Sequence, residues 1–213
     1  MTSIYNLILM SMKKSLILLV YLLIFSGFNA SMAQSPLGAG VKGGISIADQ
    51  STTGTGENVY VKNLLTFHAG AYLNYFFNGF LAIQPELQVS GKGSTWEDPL
   101  YNTRDFLTYI DIPLLLRIQP IKLVNVHAGP QFGYLIRAFQ KDLNSDEKLN
   151  IKDYYENFDL GFAVGAEANL PFRINFTVRY VRGLIPANSD VEYWEPWKNH
   201  FLQFSVGYRL IGK

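Results

Sequence analysis

The stretch FDLGFAVGAEANL, residues 158–170, decides how this chain is read. Phe158, Leu160, Phe162, Val164, Ala166, Ala168 and Leu170 are all apolar, while the interleaved positions hold Asp159, Gly161, Ala163, Gly165, Glu167 and Asn169. A strict period of two is the mark of a strand with one apolar face. The same alternation recurs at 39–47, 65–75, 81–89, 106–118, 124–136, 172–180 and 202–210.

None of the 47 positions on the apolar parity of these eight stretches is charged. The opposite parity carries Lys42, Glu86, Asp111, Arg117, Arg137, Asp159, Glu167, Arg173, Arg179 and Arg209. Lipid accounts for this one-sidedness, because a charge on the outer face costs about 2–4 kcal/mol at mid-bilayer, whereas a lumen can hydrate or pair it. The stretches are also long enough for tilted strands to cross a bilayer core. The expected fold is therefore all-β, an eight-stranded antiparallel up-and-down transmembrane β-barrel. A soluble barrel with the apolar face turned inward has the same alternation. Its solvated face would be rich in Lys and Glu, whereas the polar parity here favours Gly, Gln, Asn, Tyr and Arg. Pro85, Pro113 and Pro130 each remove a ladder donor, so bulges or local twists are expected there.

The connections alternate in length. Residues 49–63, 93–104, 138–157 and 184–199 form long polar links, and short turns fall at 76–80, 119–122 and around Pro171. Outer-membrane barrels keep short turns and both termini in the periplasm and long loops outside. Aromatics gather at the strand ends: Phe76, Phe77 and Phe80 toward one rim, and Trp96, Tyr101, Tyr154, Tyr155, Tyr193, Trp194 and Trp197 toward the other. The second group suits either a headgroup belt or ordinary loop contacts.

The start of the chain is organised differently. Lys13 and Lys14 precede the apolar run 16–25, and Ser31 and Ala33 are small. This pattern predicts a signal peptide over 1–33, cleaved before Gln34, and a barrel domain over 34–213. The apolar run is too short for a transmembrane helix. Met12 would start a more ordinary signal than Met1. Without the two signal lysines, 18 − 2 = 16 basic residues face 17 acidic ones, and so balanced a charge argues against nucleic acid as a partner. There is no cysteine, hence no disulfide and no lipoprotein anchor.

Motifs for chemistry are weak. Gly38, Gly40 and Gly43 fit GxGxxG, but a polar loop follows where a nucleotide site needs a helix. His68 and His127 share the lumen parity with Glu86 and Asp111, yet no closely spaced ligand pair supports a metal. The lumen set Lys42, Glu86, Asp111, Arg117, Asp159, Glu167, Arg173, Arg179 and Arg209 reads as an ion-pair network, since charges in so narrow an interior must be paired or hydrated. No nucleophile elbow is present. Neither cofactor nor metal is expected.

The segment YIDIPLLLRI, residues 109–118, resembles the strand that recurs in the outer-membrane β-barrel family of Bacteroidetes, the PorT-like and porin-family proteins. GVKGGIS at 40–46, DLGFAVGAE at 159–167, RYVRGL at 179–184 and FSVGYRL at 204–210 extend the resemblance over the chain from residue 34 onward. It implies an outer-membrane location in a Gram-negative bacterium and a link to secretion or gliding. Such barrels commonly end on an aromatic that serves the barrel assembly machinery; this chain departs from that pattern by running on to Ile211, Gly212 and Lys213, with Tyr208 or Leu210 expected in that place. The expected role is a non-enzymatic barrel with a filled lumen, in contact with outer-membrane lipid, that docks a protein partner through an outer loop. Asp142, Asp146, Glu147, Tyr154 and Tyr155 are the expected contact residues. The alternatives are a narrow pore for ions or small solutes, and a lipid-modifying enzyme using Ser189 with Asp190, or His200 with Asn199.

Overall fold

The computed structural model describes residues 36–51, 60–97, 102–145, 147–189 and 196–212. The expected signal segment 1–33 lies outside them. Ten strands follow in chain order: β1 (Leu37–Ser51), β2 (Tyr60–Lys62), β3 (Leu64–Phe76), β4 (Leu81–Glu97), β5 (Asn102–Ile121), β6 (Val124–Asp142), β7 (Lys148–Asn150), β8 (Phe158–Asn169), β9 (Ile174–Gly183) and β10 (Lys198–Ile211). Two short 3-10 turns, Lys152–Tyr154 and Pro171–Arg173, complete the set.

Eight of the strands form a closed antiparallel ring, β1-β3-β4-β5-β6-β8-β9-β10, in which each pairs with its neighbour in sequence and β10 returns to β1. The two short strands add to the rim that carries the long loops. β2 lies against β4 just before β3, in a register one residue away from that of β3, and β7 folds back on β6. Closure removes every free edge within the ring, which a span through hydrocarbon requires.

The faces are those the alternation predicts. Along β8, Asp159, Gly161, Ala163, Glu167 and Asn169 are buried, while Phe158, Phe162 and Val164 are exposed. Phe67 at 71 % and Leu116 at 49 % exposure belong to one continuous apolar exterior, far larger than a water-soluble monomer presents. The interior instead holds Gln84, Gln88, Gln131, Gln203 and the charged residues, together with Tyr109, Leu115 and Leu135. This is the reverse of a soluble ligand-binding barrel.

Three expectations need correction. The prolines produce no bulge: pairing skips Gln84–Pro85, Ile112–Pro113 and Gly129–Pro130 and then resumes in the same register. The bulges lie at Ala39/Gly40, Thr108/Tyr109 and between Ile118 and Ile121. The bulge opposite Thr108/Tyr109 shifts β6 by one residue, so Ile136 and Arg137 both face outward and Arg137 lies over the Phe139 ring at 5.0 Å. The third correction concerns length. β4, β5 and β6 continue through much of what reads as loop, raising one side of the wall above the rest.

Candidate functional site

Three charge clusters fill the lumen. The middle one centres on Glu86 of β4. Its oxygens accept from Arg179 Nη1 and Nη2 at 2.8 and 2.7 Å, and Lys42 Nζ lies 2.5 Å from Oε2. In the eight-membered ring β9 stands four strands from β4 in either direction, so this bidentate bond joins opposite walls. Arg179 Nε donates to His127 Nε2 at 3.2 Å. His68 bridges Ser46 Oγ at 2.9 Å and Ser205 Oγ at 2.7 Å. Both histidines are thus engaged in hydrogen bonds, and no group of three His, Asp or Glu able to hold a metal occurs among the described residues.

Toward the long loops, Lys92 Nζ sits 3.0 Å from Asp111 Oδ1 and 2.8 Å from Asp159 Oδ2, with the Tyr109 ring 4.1 Å away. Ser90 and Asn199 donate to the same two carboxylates. Gly133 makes room for this cluster, since a Cβ there would meet Asp111 Oδ1 at 2.7 Å and Lys92 Nζ at 3.2 Å. Toward the short turns, Arg117 Nη2 pairs with Glu167 Oε1 at 3.1 Å, and Asn125 and Thr177 donate to the same carboxylate. Four buried cations, Lys42, Lys92, Arg117 and Arg179, therefore stand beside four buried carboxylates, Glu86, Asp111, Asp159 and Glu167. Such balance avoids the cost of an isolated buried charge.

Of the residues assigned to the network, Arg173 lies apart from it and Arg209 touches it only through Asn169, whose Oδ1 Arg117 Nη2 also approaches at 3.5 Å. Arg173 is exposed in the turn after Leu170, where Phe172 and Arg173 both have positive φ, and its Nη1 donates to the Leu210 carbonyl at 3.1 Å. Pro171 ends β8 early and puts Arg173 in the turn before β9. Arg209 sits half-buried at the short-turn mouth, bonded to Asn169 Oδ1 at 3.3 Å. Conversely, Lys92 is absent from the sequence-derived set. Its parity matches Glu86, but the surrounding Gly91, Gly93 and Ser94 read as loop.

At the long-loop mouth, Asp105 of β5 is 4 % exposed. It accepts from Gln140 Nε2 at 2.9 Å, Trp96 Nε1 at 3.1 Å and the Tyr155 hydroxyl at 2.9 Å. Trp96 packs on Trp197 with centroids 5.2 Å apart, and Tyr155 meets Trp197 at 6.2 Å. These rings serve the mouth rather than a headgroup belt. Above them lies a pocket of about 280 Å³ lined by Asp105, Gln140, Leu149, Ile151, Tyr154, Tyr155, Asn188 and Trp197. Asp105 went unnoticed in the sequence although it shares the lumen parity of Leu107 and Asp111.

The loop contact set divides. Tyr155 is buried and paired across a bridge with Asn188, so it is not an outer contact, and burial together with the Asp105 carboxylate pushes its hydroxyl pKa well above the ordinary value. Tyr154 and Glu147 are exposed, Asp142 caps the turn through Asn144 and Ser145, and Asp146 lies outside the described residues. Ser189 Oγ donates to the Asp153 carbonyl at 3.1 Å, and Asp190 lies outside the described residues. His200 stands on the outer face of β10 near the same rim, paired in register with Arg182.

Comparison with known proteins agrees with this architecture. The family described as outer membrane protein beta-barrel domain matches residues 32–188. Among solved structures, the attachment invasion locus protein Ail of Yersinia pestis aligns at 14 % identity, covering 81 % of this chain and 98 % of that one, with a TM-score of 0.50. Neisserial surface protein A aligns at 13 % identity over 80 % and 96 % of the two chains, with a TM-score of 0.51. At such identities the likeness speaks for fold alone. Among curated proteins none matches the sequence.

Proposed function

The chain belongs to the outer membrane protein beta-barrel domain family, and from that premise we propose a non-enzymatic outer-membrane barrel, closed to solutes, that docks another molecule at its long-loop end. The observation that carries this reading is the Glu86–Arg179 bond between opposite walls, with the Lys92 and Arg117 clusters on either side of it. An eight-stranded interior is just wide enough for side chains to fill. The lumen then serves rigidity, and recognition falls to the loops.

In barrels of this kind the short turns face the periplasm, which supports an outer contact surface at Asp142, Glu147 and Tyr154. Residues 109–118 and the other matching segments support a finer assignment to the PorT-like branch of Bacteroidetes, with export by a cleaved signal, assembly by the barrel machinery and a link to secretion. Ser189, engaged with the Asp153 carbonyl, favours a non-enzymatic role. Purified protein incubated with lipid A is expected to leave its acylation unchanged, and an alteration abolished by Ser189→Ala or His200→Ala would overturn that part.

The main test is single-channel recording in a planar bilayer. Conductance is expected to stay at baseline. A steady open current would overturn the closed lumen and favour a narrow pore.

A further inference from the structure

Each of the buried carboxylates Glu86, Asp111, Asp159 and Glu167 has a lysine or arginine within ion-pair distance. Asp105 is the exception among the described buried carboxylates. Its partners are the neutral donors of Trp96, Gln140 and Tyr155, and it also lines the mouth pocket. A buried carboxylate gains from a nearby cation, and among the described residues no side chain fills the pocket beside it. Three of the eight residues that line that space are aromatic, Tyr154, Tyr155 and Trp197, with Leu149 and Ile151 apolar beside them. Tyr155 and Trp197 meet at 54°, Trp96 backs Trp197, and Tyr154 stands 62 % exposed at the entrance. Aromatic faces around a carboxylate favour one ligand chemistry above others, a cation whose charge is spread over apolar substituents.

We propose that the mouth pocket binds a small organic cation with an alkylated ammonium head, its substituents against Trp197, Tyr154 and Tyr155 and its charge facing Asp105. The inference deepens the docking reading, since it names a ligand for the same end of the barrel. A volume of about 280 Å³ suits a compact head rather than a long chain.

Calorimetric titration of the full barrel in octyl glucoside tests this with choline and its uncharged isostere, 3,3-dimethylbutan-1-ol. Choline is expected to bind saturably, and the isostere about tenfold more weakly or worse. Asp105→Asn should remove that preference, and Trp197→Ala should weaken both ligands, with heat-modifiable gel migration confirming a folded barrel. Equal binding of the two ligands, or no binding of choline, would overturn the proposal. That comparison needs no variant, so it stands even where Asp105→Asn does not fold. Competition by phosphatidylcholine bicelles would keep the site and give a lipid headgroup as the source, and its absence a soluble cation. Failure here leaves the conductance test, and the closed-lumen reading with it, untouched.

Discussion

The middle of the lumen and its long-loop mouth treat the same side chain in opposite ways. Glu86, deep between β4 and β9, is gripped by a lysine and an arginine from other strands. Asp105, nearer the loops, is held by an indole, an amide and a phenol. Pairing of the first kind locks walls together and leaves nothing for a ligand. Neutral donors orient the second carboxylate and bring no counter-charge to it, so a buried acid becomes a recognition element. Position along the barrel axis, Glu86 on β4 and Asp105 on β5, thus separates structural from functional charge.

The sharpest way to break this comparison is to remove the central cation. Arg179→Ala leaves Glu86 with Lys42 and the Gln84 amide and should cost about 3–5 kcal/mol, read as a lower urea midpoint by heat-modifiable migration. Replacing the whole cluster, Arg179→Met with Glu86→Gln and Lys42→Met, leaves no charge of it unpaired and should recover much of that loss. Placing a cation on the other face is next in size. Val164→Arg, on the exposed side of β8, should cost about 2–4 kcal/mol in the same assay, and a neutral result would undo the assignment of faces. Gly133→Ala crowds Lys92 and Asp111 and should cost about 1–3 kcal/mol. The smallest effect is expected at the mouth, where Asp105→Asn keeps an acceptor and loses about 1 kcal/mol or less. Asp111→Asn, which takes a counter-charge from Lys92, should cost more than Asp105→Asn, and the reverse order would merge the two regions into one.

The strands and their faces were legible because lipid punishes exceptions: a period of two with one wholly uncharged parity is what a hydrocarbon exterior imposes on a strand. Strand ends were less legible. Gly91, Lys92, Gly93 and Ser94 are polar and small, as a loop would be, yet β4 runs through them to Glu97 because β5 rises beside it. That continuation hid Lys92, which lies past the stretch 81–89, and left Asp105 between the link 93–104 and the stretch 106–118. Arg137 was misplaced by a single-residue bulge, which periodicity cannot register in advance. Arg173 was misplaced by a turn in which Phe172 and Arg173 adopt left-handed backbone that neither residue type advertises. Which lumen charges meet is set by strand order and stagger around the ring, a matter of three dimensions that alternation along one strand does not contain.

The junction of β1 with β10 carries a kinetic consequence. Thirteen residue pairs zip the first strand of the ring to its last, from Ala39 with Ile211 to Ser51 with Lys198. β10 is what joins β9 to β1, so a chain halted after β9 has two unpaired edges and nowhere in hydrocarbon to satisfy them. The loop to be closed spans nearly the whole described sequence, which makes this contact among the slowest to form. Insertion and closure must therefore come late and nearly together, and any half-made barrel is a species that has to be sheltered from lipid and from its own copies.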